Sequence, residues 1–371
     1  MPVDSSNQRL GRLTPLSAIL ALIEARVAAV AAKTSSLEAA RGYTLAKDVV
    51  GSVQPPCAIA LRDGFPVDST RVVDAGPYAP VALPLTLCRI DVGEPLPAGT
   101  DAVLPLDAVT LHGNNAVAVA PVVAGEGVLP AGGDVPAHTP LRRTGERVRA
   151  VDMAVLSAAG IKEVTVRLPR VHVVWGTDAR SPVIETAMAT IVRVTAEIGG
   201  VVAGGAIALE SALGDSDVDA IIAVGGTGRG QRDAAVHTLA RNGRVEAHGI
   251  AISPGETAAF GFVDAKPVLL VPGRLDAALA VWLLIGRYLV AKLAGGSIED
   301  APHMLPLKRK VTSTIGMTEL VPVRRADGMA EPLASGYLSL TALAHSDGWV
   351  AVPAESEGFA AGTAVAVNPW P

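Results

Sequence analysis

A glycine-rich stretch carries the first chemical signal in this sequence. Residues 219–233 read DAIIAVGGTGRGQRD, and a β-branched run is followed there by Gly225, Gly226, Gly228 and Gly230. A buried strand that opens through glycines into a helix presents several backbone N–H groups at the positive end of the helix dipole. Such a nest suits an anion such as phosphate. The spacing does not match the dinucleotide-binding fingerprint, and a strand-to-helix turn without a ligand is the alternative interpretation.

Strands and helices alternate around this stretch and must position it. Apolar strands are predicted at 171–174, 201–207, 221–224, near 245–252 and at 268–271, with helices at 182–198, after 231 to about 242, and at 276–294. Apolar strands separated by helices indicate a parallel sheet that is covered on both faces. Ligands of such sheets bind beyond the carboxyl ends of the strands. We therefore expect residues 175–178, the glycine stretch and residues 272–274 on one edge.

The remaining segments have a different sequence pattern. From 49 to 140 and again from 308 to 367, short β-branched runs alternate with Pro and Gly, as in all-β modules. Apolar residues at helical spacing predict helices at 16–32 and 152–160. A chain of 371 residues exceeds the usual size of a single core, so two to four domains are expected.

Composition and charge limit the expected partners and cellular location of the protein. The net charge of −5 gives no basic footprint, which argues against nucleic acid as the main partner. Cys57 and Cys88 have no metal-ligand spacing, so a reducing cytoplasm is the expected location, although a disulfide between them stays open. The polar N-terminus lacks the core of a signal peptide, and the apolar segment 277–293 is interrupted by Arg287 and Lys292. We expect a buried core helix there and no membrane association.

Several short motifs, taken in order, resemble the molybdopterin molybdenumtransferase family (MoeA and the gephyrin E domain). The resemblance runs from about residue 14 to 367. Each motif alone is weak, whereas six to eight in collinear order are strong evidence for the fold. The matching segments are PP with RDGF (55–65), GEPLPAGTDAV (93–103), GGDV (132–135), the glycine stretch, two Pro-Gly turns (254–255 and 272–273), SG (335–336) and DG (347–348).

The resemblance implies a multidomain fold of α/β and β parts in an elongated protomer that works as a homodimer. Its parts would be a split helical and extended domain (14–50 and 140–168), a β-rich inserted domain (51–139), a three-layer α/β domain with a parallel sheet that binds molybdopterin (169–302), and a small barrel-like β domain (303–371). The family reaction takes adenylylated molybdopterin and molybdate, cleaves the adenylate with a divalent cation, expected to be Mg²⁺, and leaves molybdenum on the dithiolene.

The same resemblance assigns roles to individual residues. Catalytic roles fall to Asp63, Asp178 and Asp233, and the last two could also hold Mg²⁺ jointly, or each could cap the helix that follows. Asp63 could instead form the backbone bonds of its turn. The substrate-binding positions are Gly225, Gly226, Gly228, Arg229, Gly230, Asp134, Pro254, Gly255, Pro272, Gly273, Arg274 and Ser335.

The sequence departs from the family pattern at several of these positions. The carboxylate after Asp178 is replaced by Ala179, a loop serine by Gly228, and the two lysines of a Lys-Pro-Gly-Lys turn by Ser253 and Glu256. Losing one member of a charge-stabilising set typically costs a factor of about 10²–10³ in rate. Arginines on the same edge could restore positive charge, or could be solvated surface charges. These are Arg180, Arg229, Arg232 and Arg274.

Trp175 replaces a small residue at a strand end. It could fill part of the pocket, which we favour, or stack on a pterin ring.

Three functions remain open from the sequence. The first is a divergent enzyme that inserts molybdenum, with Asp178, Asp233 and the glycine nest acting on a molybdopterin nucleotide. The second is a protein that has lost catalysis and binds molybdopterin or another phosphorylated pterin as a carrier, or serves a molybdoenzyme or cofactor-biosynthesis partner as a scaffold. The third is a phosphoryl or nucleotidyl reaction on an unrelated anion. Retained aspartates favour the first, and the lost lysines favour the second.

Overall fold

A computed structural model describes residues 12–84, 88–112, 115–178, 181–203, 207–230, 233–298 and 301–371. The chain divides into two compact units. The larger comprises the residues up to Lys47, Thr144–Arg149 and Glu163–Pro371, and the smaller comprises Asp48–Arg143 and Ala150–Lys162.

Helices and strands of the described residues are numbered in chain order. The helices are α1 (Leu16–Arg26), α2 (Ala150–Ala158), α3 (Pro182–Glu197), α4 (Leu209–Leu213), α5 (Ala235–Asn242), α6 (Leu275–Val281), α7 (Arg287–Ala294) and α8 (Leu340–Ala344). The first strands are β1 (Ala32–Ser36), β2 (Thr44–Leu45), β3 (Val49–Val50), β4 (Ile59–Ala60), β5 (Gly64–Val67), β6 (Val81–Ala82), β7 (Ala102–Pro105), β8 (Val109–His112), β9 (Asn115–Ala118), β10 (Val128–Leu129), β11 (Pro140–Arg142) and β12 (Glu163–Arg167). The later strands are β13 (Arg170–Trp175), β14 (Val201–Ala203), β15 (Ala220–Val224), β16 (Arg244–His248), β17 (Ile252–Ser253), β18 (Ala259–Val263), β19 (Lys266–Val271), β20 (His303–Pro306), β21 (Val311–Thr312), β22 (Thr318–Ala326), β23 (Met329–Pro332), β24 (Gly348–Val352), β25 (Gly358–Phe359) and β26 (Ala364–Pro369).

The central sheet of the larger unit has the strand order β14-β13-β15-β19-β18-β16. The first four strands are parallel, as the alternation of strands and helices predicts. The prediction of a wholly parallel sheet is wrong for β18 and β16, which pair antiparallel at one side. The short turn at Asp264 and Ala265 joins β18 to β19 as a hairpin, and so short a connection allows only antiparallel pairing.

Both faces of this sheet are covered. Val173 and Trp175 of β13 face a core shared with α3 and α6, whereas Val174 faces a second core shared with α4 and α5. Because successive side chains of a strand point to opposite faces, a strand buried on both sides must be apolar throughout. The three-layer α/β prediction is confirmed, and the only polar exception within β13 besides Arg170 is the buried His172.

The apolar segment after β19 is a core helix. Residues Leu275–Ala294 form one continuous helical run that is long and apolar enough to cross a membrane, and 67% of its most apolar window is buried inside the fold. Between α6 and α7 the run widens into a π-helix, Trp282–Gly286. The Trp282 ring packs against Gly286, where a Cβ would lie 2.8 Å from the indole, and its Nε1 donates to Thr195 Oγ1 at 3.1 Å.

The C-terminal β part follows the order β17-β22-β24-β26-β20, with β23 on β22 and a separate β21-β25 pair. The predicted barrel-like form is wrong in that no closed barrel is present among the described strands. The long strand β22 connects most of this part, because it pairs antiparallel with β24 and β23 and parallel with β17. Ala251 N donates to the Thr14 carbonyl at 2.8 Å, which joins the start of the described chain to the residue before β17.

The smaller unit is rich in short strands, as predicted for the inserted segment. It contains the pairs β3-β11, β4-β10 and β5-β7 and the three-stranded sheet β6-β9-β8, together with α2. Its main core is aliphatic and includes Val72, Leu104 and Val122. Cys57 and Cys88 are both exposed and free, so the disulfide left open by the sequence does not form.

Candidate functional site

Three turns meet at the carboxyl edge of the parallel strands. The turns after β13, β15 and β19 contain Gly176, Gly225 with Gly226, and Gly273. Gly176 N donates to the Val224 carbonyl at 2.9 Å, and Gly225 N donates to the Val271 carbonyl at 2.8 Å. The strand ladders therefore continue one residue beyond the strands and hold the three turns side by side. We call this group of turns (175–178, 225–230 and 272–274) the glycine-turn edge.

The glycines at this edge are required by close backbone approach. A Cβ at Gly226 would lie 2.0 Å from the Gly176 carbonyl oxygen, and one at Gly176 would lie 2.2 Å from the Gly225 carbonyl oxygen. Gly225 and Gly226 also have φ values of +91° and +73°. Only glycine adopts such angles without strain and leaves room for a second backbone at this distance. The predicted strand-to-turn geometry of the glycine stretch is confirmed.

Two helices begin against these glycines. Ala235, the first residue of α5, donates its N–H to the Gly226 carbonyl at 3.1 Å. Ile184, in the first turn of α3, packs where Cβ atoms of Gly225 and Gly273 would be. The amino ends of α3 and α5 therefore converge on the same edge, and their dipoles favour negative charge there.

The carboxylate of Asp233 turns back onto its own loop. Its Oδ2 accepts from Gly230 N at 2.7 Å and lies 2.7 Å from where a Cβ of Gly228 would be. It does not cap α5, whose N-cap is Ala234. The loop serine of the family pattern is thus replaced by a glycine at a position that is crowded by Asp233.

The described residues do not form a metal site by themselves. They contain no group of three or more His, Cys, Asp or Glu side chains that could hold an ion. Asp178 is exposed, while Asp233 is engaged by the amide of Gly230. Asp178 does not cap α3 either, because Ser181 Oγ accepts from Ile184 N at 3.4 Å. The predicted joint Mg²⁺ site of Asp178 and Asp233 therefore has no preformed ligand cage.

Of the four arginines considered from the sequence, Arg229 is exposed in the glycine loop and Arg274 is exposed after β19. Arg180 and Arg232 lie outside the described residues, as do Ala179 and Gln231. The structure thus brings two of the four to the edge.

Arg274 is held by a buried carboxylate. Its Nε and Nη2 donate to the two oxygens of Asp276 at 3.1 and 2.5 Å, and Asp276 is 4% exposed. The hydrogen bonds to Asp276 raise the pKa of Arg274, and the nearby charge of Glu256 adds to this shift. The guanidinium also lies over the Tyr337 ring, 5.0 Å from its centroid. Two carboxylates therefore offset the positive charge that this arginine brings.

The Pro254-Gly255 turn lies beside the glycine loop. Thr257 Oγ1, just after Pro254-Gly255-Glu256, is 3.1 Å from Thr227 Oγ1, and His248 Nε2 is 3.2 Å from the Thr227 carbonyl. Pro254 and Gly255 are buried, whereas Glu256 is exposed and accepts from Gly255 N at 3.2 Å. Sequence reasoning missed Thr227 and Thr257, because a single threonine after two glycines carries no distinctive signal.

Ser335 reaches this region through the C-terminal sheet. Its Oγ donates to Glu319 Oε1 at 2.6 Å, and Gly336 N donates to the same oxygen at 2.8 Å. Glu319 is 4% exposed and pairs in β22 with Ser253 of β17, directly before Pro254. A further bond joins Leu338 N to Asp276 Oδ2 at 3.3 Å. The loop 335–338 is therefore fixed at both ends by buried carboxylates.

Three further residues singled out from the sequence are Asp63, Asp134 and Trp175. Asp63 and Asp134 belong to the smaller unit, and both are exposed. Asp63 Oδ1 accepts from Val92 N at 3.0 Å, which is a bond to a loop 29 residues away in sequence rather than to a donor of its own turn. Trp175 is 7% exposed and packs in the core beside α3, as expected for a residue that fills space. The catalytic and binding roles given to these residues stay predictions.

Comparison with known families agrees with this arrangement. The model of the MoeA N-terminal region (domain I and II) matches residues 14–160, a probable molybdopterin binding domain matches 177–292, and the MoeA C-terminal region (domain IV) matches 304–370. The chain belongs to the MoeA family. The resemblance drawn from the sequence motifs is thereby confirmed. Apart from Trp175 and Gly176, the glycine-turn edge lies within the residues that match the probable molybdopterin binding domain.

Individual relatives support the same assignment. The chain is 28% identical to molybdopterin molybdenumtransferase 2 of Mycobacterium tuberculosis over 90% of this chain and 94% of that protein. It is 34% identical to a putative molybdopterin biosynthesis protein of Methanocaldococcus jannaschii, over 43% of this chain and only 38% of that protein. A crystal structure of the molybdopterin biosynthesis MoeA protein of Pyrococcus horikoshii has a TM-score of 0.78 at 24% identity, covering 96% of this chain and 99% of that one, and so shares the fold.

Proposed function

We propose that this MoeA family member acts in molybdenum cofactor biosynthesis by binding molybdopterin, or its adenylylated form, at the glycine-turn edge. The observation that carries the proposal is the convergence of three glycine turns and the amino ends of α3 and α5 on one edge of the sheet. Backbone amides and helix dipoles bind phosphate without any conserved cationic side chain. The loss of two lysines therefore removes side-chain charge from the edge but leaves its turns and the two helix ends in place.

The reaction that we propose is that of a molybdopterin molybdenumtransferase, the name of its M. tuberculosis relative. In it, molybdate is inserted into adenylylated molybdopterin and AMP is released. Asp178 is the exposed carboxylate at the edge, and Mg²⁺ commonly binds one or two carboxylates together with substrate phosphates. Any Mg²⁺ at this edge would take most of its ligands from the substrate and from water.

A non-catalytic carrier is the second candidate. Glu256 stands where the family pattern has a lysine, and Asp276 neutralises Arg274. Together they lower the positive charge available to stabilise a reacting oxyanion, while the turns and helix ends that we propose for the phosphate are unaffected. Under this alternative the chain holds the pterin for a partner enzyme.

One pair of assays separates the two candidates. Purified protein is given adenylylated molybdopterin, molybdate and Mg²⁺, AMP release is followed, and binding is measured directly on the same sample. An enzyme releases AMP, and Asp178→Asn lowers the rate by about 10²-fold or more. A carrier binds tightly and releases no AMP. Absence of both binding and AMP release contradicts the proposal.

The control for this assay is Asp264→Asn. Asp264 is also exposed, but it lies in the turn before β19, at the opposite end of that strand from the glycine-turn edge. We expect AMP release by this variant within about twofold of the wild-type rate, because a surface change away from the site leaves stability nearly unaltered.

Assembly and location complete the proposal. We propose that the protein is a homodimer, because its motifs resemble those of a family that works as homodimers. We also propose that it is located in the cytoplasm, because its two cysteines are free. Light scattering on the eluate of a sizing column gives the mass, and a value near that of one 37.7 kDa chain argues against the dimer.

A further inference from the structure

The loop 335–338 presents an aromatic ring that the proposed reaction does not account for. Tyr337 is 63% exposed. On one side of it, Ser335 and Gly336 are held by the buried Glu319, and on the other, Leu338 is held by the buried Asp276. Two buried carboxylates thus fix the loop that carries this exposed ring.

The ring has a cationic neighbour at the glycine-turn edge. The Arg274 guanidinium lies 5.0 Å from the centroid of the Tyr337 ring, and its side chain is 56% exposed. Asp276 fixes the guanidinium through two hydrogen bonds and fixes the tyrosine loop through Leu338 N. One carboxylate therefore sets the position of both groups, which we call the Arg274–Tyr337 platform.

The platform borders the phosphate-binding turns. Gly273 precedes Arg274, and a Cβ at Gly273 would lie 3.5 Å from the Gly225 Cα in the glycine loop. Tyrosine and arginine surfaces both stack on planar heteroaromatic rings, and stacking tolerates differences in ring type. A ligand that places its phosphate on the backbone donors could therefore reach the platform with an attached ring.

We propose that the Arg274–Tyr337 platform binds the planar heteroaromatic ring of a phosphorylated substrate by stacking. The ring is the pterin or the adenine of the nucleotide, since both share the chemistry that the platform recognises. This inference rests on the proposed function for the position of the phosphate. It adds a binding residue, Tyr337, outside the turns that the sequence motifs single out.

Two ring probes and one probe without a ring test this inference. Affinities of wild type, Tyr337→Ala and Tyr337→Phe are measured for pterin-6-carboxylate by fluorescence, and for AMP and inorganic phosphate by calorimetry. Tyr337→Ala should weaken the binding of at least one ring probe by about tenfold, a typical loss for one stacked ring, and leave phosphate binding unchanged. Tyr337→Phe should stay within about twofold of wild type because it keeps the ring.

The outcomes identify the ring and separate the two proposals. A loss for AMP alone assigns the adenine to the platform, and a loss for the pterin alone assigns the pterin. Equal affinities of wild type and Tyr337→Ala for both ring probes overturn the platform while leaving the phosphate site intact. If neither phosphate nor AMP binds the wild-type protein, the proposed function itself fails. Because Tyr337 is exposed, an unchanged melting temperature is expected and verifies that Tyr337→Ala is folded.

Discussion

Single glycines decide the geometry of the candidate site. The sequence shows four glycines within six positions, but it cannot say which of them approach another backbone. In the structure, Gly225 and Gly226 are the crowded ones, whereas Gly228 and Gly230 lie against the Asp233 carboxylate. The pattern therefore predicts the turn, while the individual role of each glycine depends on Gly176, which is distant in sequence.

Gly226→Ala should destabilise the larger unit by more than about 1 kcal/mol, because the new Cβ would lie 2.0 Å from the Gly176 carbonyl oxygen and φ is +73°. Urea unfolding measures the change. The matched control is Gly214→Ala, which has no neighbouring atom within 4 Å and a φ of −80° and should change stability by about 1 kcal/mol or less. Equal changes in unfolding free energy for the two substitutions would contradict the close approach of Gly226 to the Gly176 carbonyl oxygen.

A second residue-scale prediction concerns a tyrosine on α7. Tyr288 Oη donates to Glu24 Oε2 at 2.9 Å, and this hydrogen bond raises the pKa of Tyr288 above its ordinary value of 10.0. The folded state then holds the phenol proton more tightly than the unfolded state does. The resulting stabilisation is present below pH 10 and is lost as the pH rises through the folded pKa.

The difference in unfolding free energy between wild type and Tyr288→Phe should therefore shrink in urea titrations as the pH is raised above 10. Tyr78→Phe serves as the control, because Tyr78 is fully exposed and should give a flat difference. A difference for Tyr288→Phe that stays constant through the alkaline range would mean that the bond to Glu24 does not persist in solution.

At the scale of elements, the alternation of strands and helices predicts most of the central sheet. The parallel strands β13, β15 and β19 carry apolar runs, and their parallel direction and common edge follow from the alternation of these runs with helices. The sequence predicts a strand near 245–252, which overlaps β16, but none at β18, and it does not predict that the two pair antiparallel, because apolar runs have the same composition in either direction. What settles their direction is the length of the hairpin turn, which hydrophobic pattern alone does not encode.

The long helix after β19 shows a similar limit. Its apolar pattern predicts one continuous helix at 276–294, but the structure inserts a π-helical segment around Trp282. The large indole packs against Gly286 and bonds to Thr195 of α3, a partner 87 residues away in sequence. Side-chain fit between distant elements, rather than local propensity, therefore decides the helix geometry at this place.

Thr195→Val should destabilise the fold by about 1–3 kcal/mol, because it leaves the buried indole N–H of Trp282 without its acceptor while keeping the side-chain volume. Thr186→Val on the exposed face of α3 is the control and should have a smaller effect. The free energy of unfolding in urea measures both. A loss no greater than that of Thr186→Val would contradict the view that this hydrogen bond joins α3 to the long helix.

For the molecule as a whole, the order of short motifs predicts the family, whereas the chemistry of the site depends on departures from those motifs. The motifs predict the MoeA fold over nearly the entire chain because turns and strand ends fix where glycine and proline must be. They do not predict that Asp276 binds Arg274 or that Asp233 folds onto its loop, since both depend on side-chain contacts. The charge at the edge is therefore less positive than the arginines alone suggest.

The most direct test of the central claim is the affinity for adenylylated molybdopterin of wild type and of Gly228→Ala, measured side by side. A Cβ at Gly228 would lie 2.7 Å from Asp233 Oδ2 and would displace that carboxylate from Gly230 N, so that the bond that shapes the glycine loop is lost. If the glycine-turn edge binds the phosphates, Gly228→Ala should bind about tenfold more weakly, while Gly214→Ala binds as wild type does. Equal affinity of Gly228→Ala and wild type would contradict the claim.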